Sequence, residues 1–132
     1  MTKIGVKELV ERANEQVTTL SPENALEGQQ QGQMLLVDIR DVRELNREGR
    51  VENAVHAPRG MLEFWFDAES PYHREVFAEE SQTYVLFCAA GWRSALAAKS
   101  LMDMGFENIA HIDGGFGAMK DAGATLVEKK SS

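Results

Sequence analysis

The sequence predicts an α/β fold in which a central, mainly parallel sheet carries helices on both faces. Short apolar runs, typical of buried strands, alternate along the chain with stretches of helical spacing, and this alternation favours parallel strands joined by helices. The chain has 132 residues, 43% of them hydrophobic, so it can bury one substantial core. We therefore expect one domain over residues 17–126, an amphipathic helical extension at 1–16 and a flexible tail at 127–132.

The first two helices have the clearest signals. In KELVERANEQV, apolar residues at positions 9, 10, 13 and 17 recur at helical spacing, which predicts an amphipathic helix. In SPENALEG, Ser21 is a candidate N-cap and Pro22 suits a first helical position. A short second helix is therefore expected from about Pro22.

The remaining elements follow in order. MLLVDI predicts a central strand, RDVRELNREGR a short polar helix ending near Gly49, and NAVHAP a brief strand stopped by Pro58. RGMLEFWFD is apolar but irregular, and is expected to form a helix or a lid. Next come QTYVLFC as a buried strand, WRSALAAKSLMDMG as a helix ended by Gly105, NIAHID as a strand and GGFGAMKDAG as a closing helix.

Charge and cysteine content weigh against several classes of protein. The net charge of -7 argues against a nucleic-acid binder, since such proteins present clustered Lys and Arg. The N-terminus lacks the apolar core of a signal peptide, and no stretch approaches the roughly 20 apolar residues of a membrane span. The single cysteine cannot form an intrachain disulfide. We expect a soluble, cytoplasmic protein with neither nucleic acid nor membrane as a partner.

Two predicted strands end in residues that can carry chemistry. Cys88 ends one, and Asp38 and Arg40 lie at the end of the other. If the strands are parallel, these residues share one edge of the sheet, and ligands of such sheets bind beyond the carboxyl ends of the strands. This edge is the predicted site.

The segment after Cys88 has the composition of an anion-binding loop. Ala89, Ala90 and Gly91 are small enough for the backbone to curl with successive N–H groups pointing inward. The helix that begins near Trp92 adds its positive end. The loop is therefore suited to hold a negative charge.

Arg93 adds a permanent charge that suits an oxyanion such as thiosulfate or a terminal sulfur anion. Nearby positive charge and hydrogen bonding both favour the thiolate form of a cysteine. Residue type alone would make Cys88 a small buried hydrophobe. Its place at a strand end, before a small-residue loop and a helix, instead predicts a nucleophile.

CAAGWRS resembles the C-x-x-G-x-R-[ST] active-site loop of rhodanese-type sulfurtransferases. LLVDIRDVRELNREGRVENAVHAPRG and GFENIAHIDGGFGAMKDAG resemble that family's strand-Asp-x-Arg segment and its closing glycine pair and helix. The likeness covers most of residues 18 to 124 and implies a three-layer rhodanese-like fold. The chain departs from the family at RVEN, residues 50 to 53, where His-Ile-Pro-Gly is common, and at Met119, where an aromatic is common.

The resemblance implies a ping-pong transfer of sulfur. Cys88 attacks the outer sulfur of a donor, becomes a persulfide, and passes that sulfur to a thiol, cyanide or protein acceptor. The loop amides would stabilise the persulfide anion. No cofactor or metal is implied. The residues expected to bind the substrate are Ala89, Ala90, Gly91, Trp92, Arg93 and Ser94.

Other polar residues are expected to support the site rather than react. Asp38 and Arg40 suit a buried ion pair or hydrogen bonds that hold the loop, and Arg59 supplies a second cation only if its segment folds over the edge. His56, His73 and His111 lack metal-ligand spacing and are interpreted as solvated or core residues. GGFG is interpreted as a tight turn into the last helix.

Two further function classes stay open. One is a sulfur carrier or redox-linked interaction module with little thiosulfate turnover. The other is a cysteine phosphatase or arsenate reductase, some of which share a similar loop on a rhodanese-like fold. Those phosphatases place Arg six positions after Cys, whereas Arg93 follows Cys88 by five, so the shorter loop favours sulfur.

The loop has one cationic side chain, and the chain as a whole is acidic. We therefore expect thiosulfate to bind weakly, and a less highly charged persulfide or polysulfide donor to be used at least as well.

Overall fold

The computed structural model describes residues 2–128 and contains a five-stranded parallel sheet with helices on both faces. The strand order is β1-β6-β5-β2-β4. The strands are β1 (Thr18–Leu20), β2 (Met34–Asp38), β3 (Arg50–Val51), β4 (Val55–His56), β5 (Thr83–Phe87), β6 (Ile109–Ile112) and β7 (Leu126–Val127). The helices are α1 (Val6–Asn14), α2 (Pro22–Gln30), α3 (Val42–Glu48), α4 (Leu62–Phe66), α5 (Trp92–Asp103) and α6 (Gly115–Asp121). The predicted α/β fold is confirmed.

Alternate residues of the strands face two separate apolar layers, because side chains along a strand point to opposite faces of a sheet. On one face, Val37 and Leu86 pack with α4 and α5. On the other face, Leu36 and Val85 pack in a cluster that includes Ala25 of α2 and Met119 of α6. Both faces of the central strands are therefore covered, as their continuous apolar sequences predicted.

Local sequence explains where the helices begin. Ser21 caps α2, since its hydroxyl accepts a hydrogen bond from the N–H of Asn24 at 3.1 Å, and Pro22 is the first helical residue. Asp41 caps α3 and forms a capping box with Glu44, whose Oε1 accepts the N–H of Asp41 at 3.3 Å. The predicted start of α2 and the predicted end of α3 near Gly49 are confirmed.

The segment RGMLEFWFD is helical: a 3₁₀ turn at Arg59–Met61 leads directly into α4. Its aromatic residues differ in environment. Phe66 is buried and stacks on Phe77 with ring centroids 4.4 Å apart, Trp65 packs against the same core, and Phe64 is half exposed.

Three features of the fold escaped prediction. Residues 18 to 20 form the edge strand β1, which pairs with β6. β3 and β7 form a small antiparallel sheet in which Arg50 pairs with Val127. The predicted tail is thus wrong at its first residue, because Val127 lies in a strand; positions 129–132 of that predicted tail lie outside the described residues.

The extension at the N-terminus packs onto the domain. Val10 and Ala13 of α1 are buried against Ala95 of α5, which confirms the amphipathic helix. In residues 2–128, no helix combines the length and the apolar character that crossing a membrane requires.

Candidate active site

Cys88 lies at the carboxyl end of β5, where the chain turns into α5. The residue is 1% exposed, and its Sγ accepts a hydrogen bond from the N–H of Gly91 at 3.1 Å. Gly91 has a φ of 115°, a conformation that glycine adopts without the penalty paid by other residues. Since α5 begins at Trp92, the sulfur also lies close to the positive end of a 12-residue helix. This environment stabilises an anion on sulfur.

The first turn of α6 holds the backbone of the cysteine loop. The N–H of Phe116 donates to the Cys88 carbonyl oxygen at 2.8 Å, and the N–H of Gly117 donates to that of Ala89 at 3.3 Å. A Cβ atom at Gly115 would lie 2.4 Å from the Cys88 oxygen. GGFG leads into the last helix as predicted, with Gly114 as the N-cap and the other three residues in the first turn of α6. The sequence did not reveal that this turn also fixes the position of the Cys88 carbonyl.

Arg93 is hydrogen-bonded to a carboxylate that the sequence analysis missed. Its Nη1 and Nη2 donate to Oε1 and Oε2 of Glu44 at 2.8 and 3.0 Å. This hydrogen bonding is the main cause that lowers the pKa of Glu44 and raises that of Arg93, and Cys88 adds smaller upward contributions to the pKa of Arg93. The cation of the loop is therefore already paired with a negative charge.

The sequence did contain one signal for Glu44. The Asp41-x-x-Glu44 spacing predicts a capping box, which places Glu44 in the first turn of a helix that follows β2. Because β2 and β5 are parallel neighbours, with Asp38 in register with Phe87, the starts of α3 and α5 lie at the same edge of the sheet.

Asp38 and Arg40 form the predicted buried ion pair. Arg40 Nη2 lies 2.7 Å from Asp38 Oδ2, and the side chains are 0% and 2% exposed. The guanidinium also donates to the carbonyl oxygen of Gly49 at 2.9 Å and lies 4.0 Å from the ring centroid of Phe116. The pair thus joins the end of α3 to the start of α6, which in turn holds the cysteine loop.

The structure does not bring the charge of Arg59 to the sulfur. Its Nη1 lies 2.9 Å from both carboxylate oxygens of Glu63, which also accepts the Ser100 hydroxyl at 2.6 Å. Glu63 of α4 therefore links the turn that contains Arg59 to Ser100 of α5.

The other predicted loop residues differ in exposure. Ala90 and Trp92 are exposed, so they form the outer surface of the site, and Ala89 is half-buried. Ser94 is fully buried, and its Oγ lies 3.6 Å from Cys88 Sγ. Ser94 is thus placed beneath the sulfur rather than at the surface where a substrate would arrive.

The three histidines have different environments. His56 donates from Nε2 to the Arg40 carbonyl oxygen at 2.7 Å, and His73 donates from Nδ1 to that of Trp65 at 3.0 Å. His111 is 2% exposed and contacts Ser94. Within residues 2–128, no group of three or more His, Cys, Asp or Glu side chains is arranged to hold a metal ion.

Comparison with known proteins agrees with this fold and loop. The family model of the rhodanese-like domain matches residues 21–122, a range that contains the whole sheet except β1, together with the Cys88 loop and α2 to α6. The chain therefore belongs to the rhodanese-like family.

The chain is also similar to three proteins with different descriptions. An uncharacterized protein of Synechocystis sp. is 31% identical over 114 residues, which are 86% of this chain but only 58% of that relative. A protein of unknown function from Rhodopseudomonas palustris, named a possible tyrosine phosphatase, is 43% identical, with a TM-score of 0.89 and coverage of 96% and 97% of the two chains. The polysulfide-sulfur transferase homodimer of Wolinella succinogenes is 29% identical, with a TM-score of 0.70 and coverage of 94% and 88%.

Proposed function

We propose that the protein is a sulfurtransferase that carries a sulfane sulfur on Cys88 as a persulfide. The observation that supports this most directly is the setting of Sγ, which accepts a hydrogen bond from the Gly91 N–H at the start of α5. The same features that stabilise a thiolate also stabilise the terminal sulfur of a persulfide. The proposed sulfurtransferase domain spans residues 17–126, with residues 1–16 as an extension. The proposed location of the protein is the cytoplasm.

The reaction has two transfers of one sulfur atom. The Cys88 thiolate attacks the outer sulfur of the donor, so that a new S–S bond forms while the donor's own S–S bond breaks. The electron pair leaves with the donor fragment, as a thiolate from a persulfide or as sulfite from thiosulfate. A thiol, cyanide or protein acceptor then attacks the terminal sulfur, and the bond to Cys88 breaks to regenerate the thiolate.

The pairing of Arg93 with Glu44 favours a donor of low charge. A dianion such as thiosulfate would meet a cation that is already neutralised and a carboxylate beside it. A persulfide or polysulfide donor carries less charge and is therefore repelled less by that carboxylate. The likeness to the Wolinella succinogenes polysulfide-sulfur transferase supports the same preference.

Phosphatase activity is the second candidate, because the Rhodopseudomonas palustris neighbour is named a possible tyrosine phosphatase. Two features of this chain weigh against it. Arg93 follows Cys88 by five residues, which gives a shorter loop. Both terminal nitrogens of Arg93 are also bonded to Glu44, which would repel a phosphate dianion.

Steady-state assays separate these functions. With cyanide as the acceptor, we expect the protein to produce thiocyanate from polysulfide and from thiosulfate. At matched ionic strength, kcat/KM for polysulfide should be at least equal to that for thiosulfate. Cys88→Ser is the inactive control. One sulfur loaded per chain without turnover would indicate a carrier, and hydrolysis of an aryl phosphate by the wild type would favour the phosphatase.

A further inference from the structure

Behind Cys88, a line of hydrogen bonds leads through the protein interior to the N-terminal helix. Cys88 Sγ lies 3.6 Å from Ser94 Oγ, and Ser94 Oγ lies 2.9 Å from His111 Nδ1. His111 Nε2 lies 2.9 Å from Asn14 Oδ1 and 3.2 Å from Thr19 Oγ1. The cysteine, the serine and the histidine are each at most 2% exposed. These groups are therefore well shielded from exchange with solvent.

The partners determine which nitrogen of His111 carries the hydrogen. Asn14 presents Oδ1, which can only accept, so Nε2 holds the hydrogen and Nδ1 has a free lone pair. The Ser94 hydroxyl then donates to Nδ1, which is nearer than its other acceptor, the Gly91 carbonyl oxygen at 3.3 Å. The oxygen of Ser94 is left to accept the S–H of Cys88. Both hydrogens between the sulfur and the imidazole thus point toward the imidazole.

We propose that His111 is a positioning residue that takes up the thiol proton of Cys88 through Ser94, and that Asn14 controls how readily it does so. The proton of Cys88 moves to Ser94 Oγ while the Ser94 hydroxyl proton moves to His111 Nδ1. A thiolate and an imidazolium result, no proton is lost to solvent, and Ser94 then donates its hydroxyl to the thiolate. This inference rests on Cys88 being the nucleophile of the proposed function.

The surroundings of His111 keep it neutral in the resting state, which leaves the lone pair of Nδ1 free. Asn14 of α1, Thr19 of β1 and Ser94 of α5 are uncharged, and burial is the main cause that lowers the pKa of His111. Asp113, which follows β6, is the charged group that acts in the opposite direction. The titratable group at the other end of the line is Cys88.

The proposal gives the N-terminal extension a role in the chemistry. Asn14 and Thr19 both precede the residues matched by the family model, which begin at 21. Helix α1 is fixed where Asn14 can reach the imidazole, because Val10 and Ala13 pack against Ala95, the residue after Ser94.

The test is a pH titration of the thiolate in the free protein, followed by its ultraviolet absorbance with Cys88→Ser as the blank. His111→Gln removes the proton acceptor, and we expect the titration to move to higher pH by about one unit, a tenfold loss of thiolate at a given pH. Asn14→Asp places a carboxylate on Nε2–H and stabilises the imidazolium, so the titration should move to lower pH. Loosened packing in the two variants cannot move the thiolate titration in opposite directions.

The double variant carrying Asn14→Asp and His111→Gln is the matched control. Without the imidazole, the added carboxylate acts only by direct repulsion, so the downward shift should disappear. An unchanged titration in a folded His111→Gln protein, or a downward shift that persists in the double variant, would overturn the proposal. If His111→Gln fails to fold, Asn14→Asp alone tests the proposal, because Asn14 is exposed and its substitution should be tolerated. An Asn14→Asp protein whose titration does not move to lower pH would contradict the relay. No sulfur donor is used, so failure here is distinct from failure of sulfur transfer.

Discussion

The carboxylate of Glu44 and the guanidinium of Arg93 face each other beside the Cys88 loop, joined by hydrogen bonds of 2.8 and 3.0 Å. The two residues are 49 positions apart in the sequence. The side chain of Arg93 is 42% exposed and that of Glu44 is 18% exposed, so the pair lies where an entering donor would meet it. The Glu44–Arg93 pair should affect the choice of sulfur donor more than it affects the free energy of unfolding, because partly exposed ion pairs contribute little to folding.

Glu44→Gln should release Arg93 for an anionic donor. We expect kcat/KM for thiosulfate to rise about fivefold, the equivalent of ~1 kcal/mol for a charge at a partly exposed site, with a smaller change for polysulfide. Glu48→Gln is the matched control, since it removes the same charge from the same helix, and Glu48 pairs with Arg47 and with Arg40 rather than with Arg93. Steady-state kinetics with both donors at one ionic strength provide the measurement.

Arg93→Ala should act in the opposite direction, because it leaves Glu44 unpaired beside the loop. The kcat/KM for thiosulfate should then fall clearly, whereas the thermal stability should fall less, since alanine is well tolerated in a helix. Equal thiosulfate kinetics in Glu44→Gln, Glu48→Gln and wild type would show that the pair does not select the donor.

Acid should weaken the protein partly through Glu44. The hydrogen bonds from Arg93 lower the pKa of Glu44 below the ordinary value of 4.5. A carboxylate with a lowered pKa in the folded state stabilises the protein above its unfolded pKa, and the contribution is lost as the pH falls through the folded value. Urea unfolding of wild type and Glu44→Gln should therefore converge as the pH falls below about 4.5. A stability difference independent of pH would contradict this assignment.

Gly115→Ala should damage both stability and the cysteine loop. Gly115 has a φ of 62°, and a Cβ there would lie 2.4 Å from the Cys88 oxygen and 2.8 Å from the carbonyl carbon of Ala89. The conformation costs about 1–2 kcal/mol and the overpacking about 1–3 kcal/mol, and persulfide formation should slow because the loop must shift. Gly60→Ala is the control, since a Cβ there would have open space around it within residues 2–128. Chemical denaturation that finds the two variants equally stable would argue against the close approach.

Asp38→Asn should be among the more destabilising single changes at this edge of the sheet. It leaves the guanidinium of Arg40, which is 0% exposed, with only the more distant carboxylate of Glu48, 3.6 Å from Nη1, and breaking a buried pair costs about 3–5 kcal/mol. Asp103→Asn makes the same chemical change in an exposed pair with Lys99 and should cost no more than about 1 kcal/mol. Similar unfolding free energies for the two variants would mean that the buried pair is not important for stability.

The order of strands and helices could be predicted because each longer element has its own local signal. The apolar run at β2, the cap at Ser21 and the left-handed Gly105 are examples of such signals. β3 and β7 have two residues each, too few for any periodicity, and their pairing depends on contacts between distant parts of the chain. For the same reason, the sequence around Val127 predicts a tail rather than a strand.

The site was predictable where its residues are neighbours in sequence. Cys88, its loop and the Asp38–Arg40 pair follow from strand ends and spacing. Glu44 and Asn14 reach the site only through the packing of α3 and α1, and the contact between Asn14 and His111 spans 97 residues. The apolar strand around His111 has the same local pattern whether the histidine only fills the core or contacts the site. The position of His111 behind Ser94 is therefore visible only in the structure.

The most direct test of sulfur transfer is the intact mass of the protein after treatment with polysulfide and removal of excess donor. Cys88 is the only cysteine in the chain, so the wild type should gain the mass of one sulfur atom, lose it on addition of cyanide, and release thiocyanate in equal amount. Cys88→Ser should gain nothing. Equal sulfur loading of Cys88→Ser, or a wild type that stays unmodified while its thiol remains reduced and reactive, would contradict the persulfide mechanism.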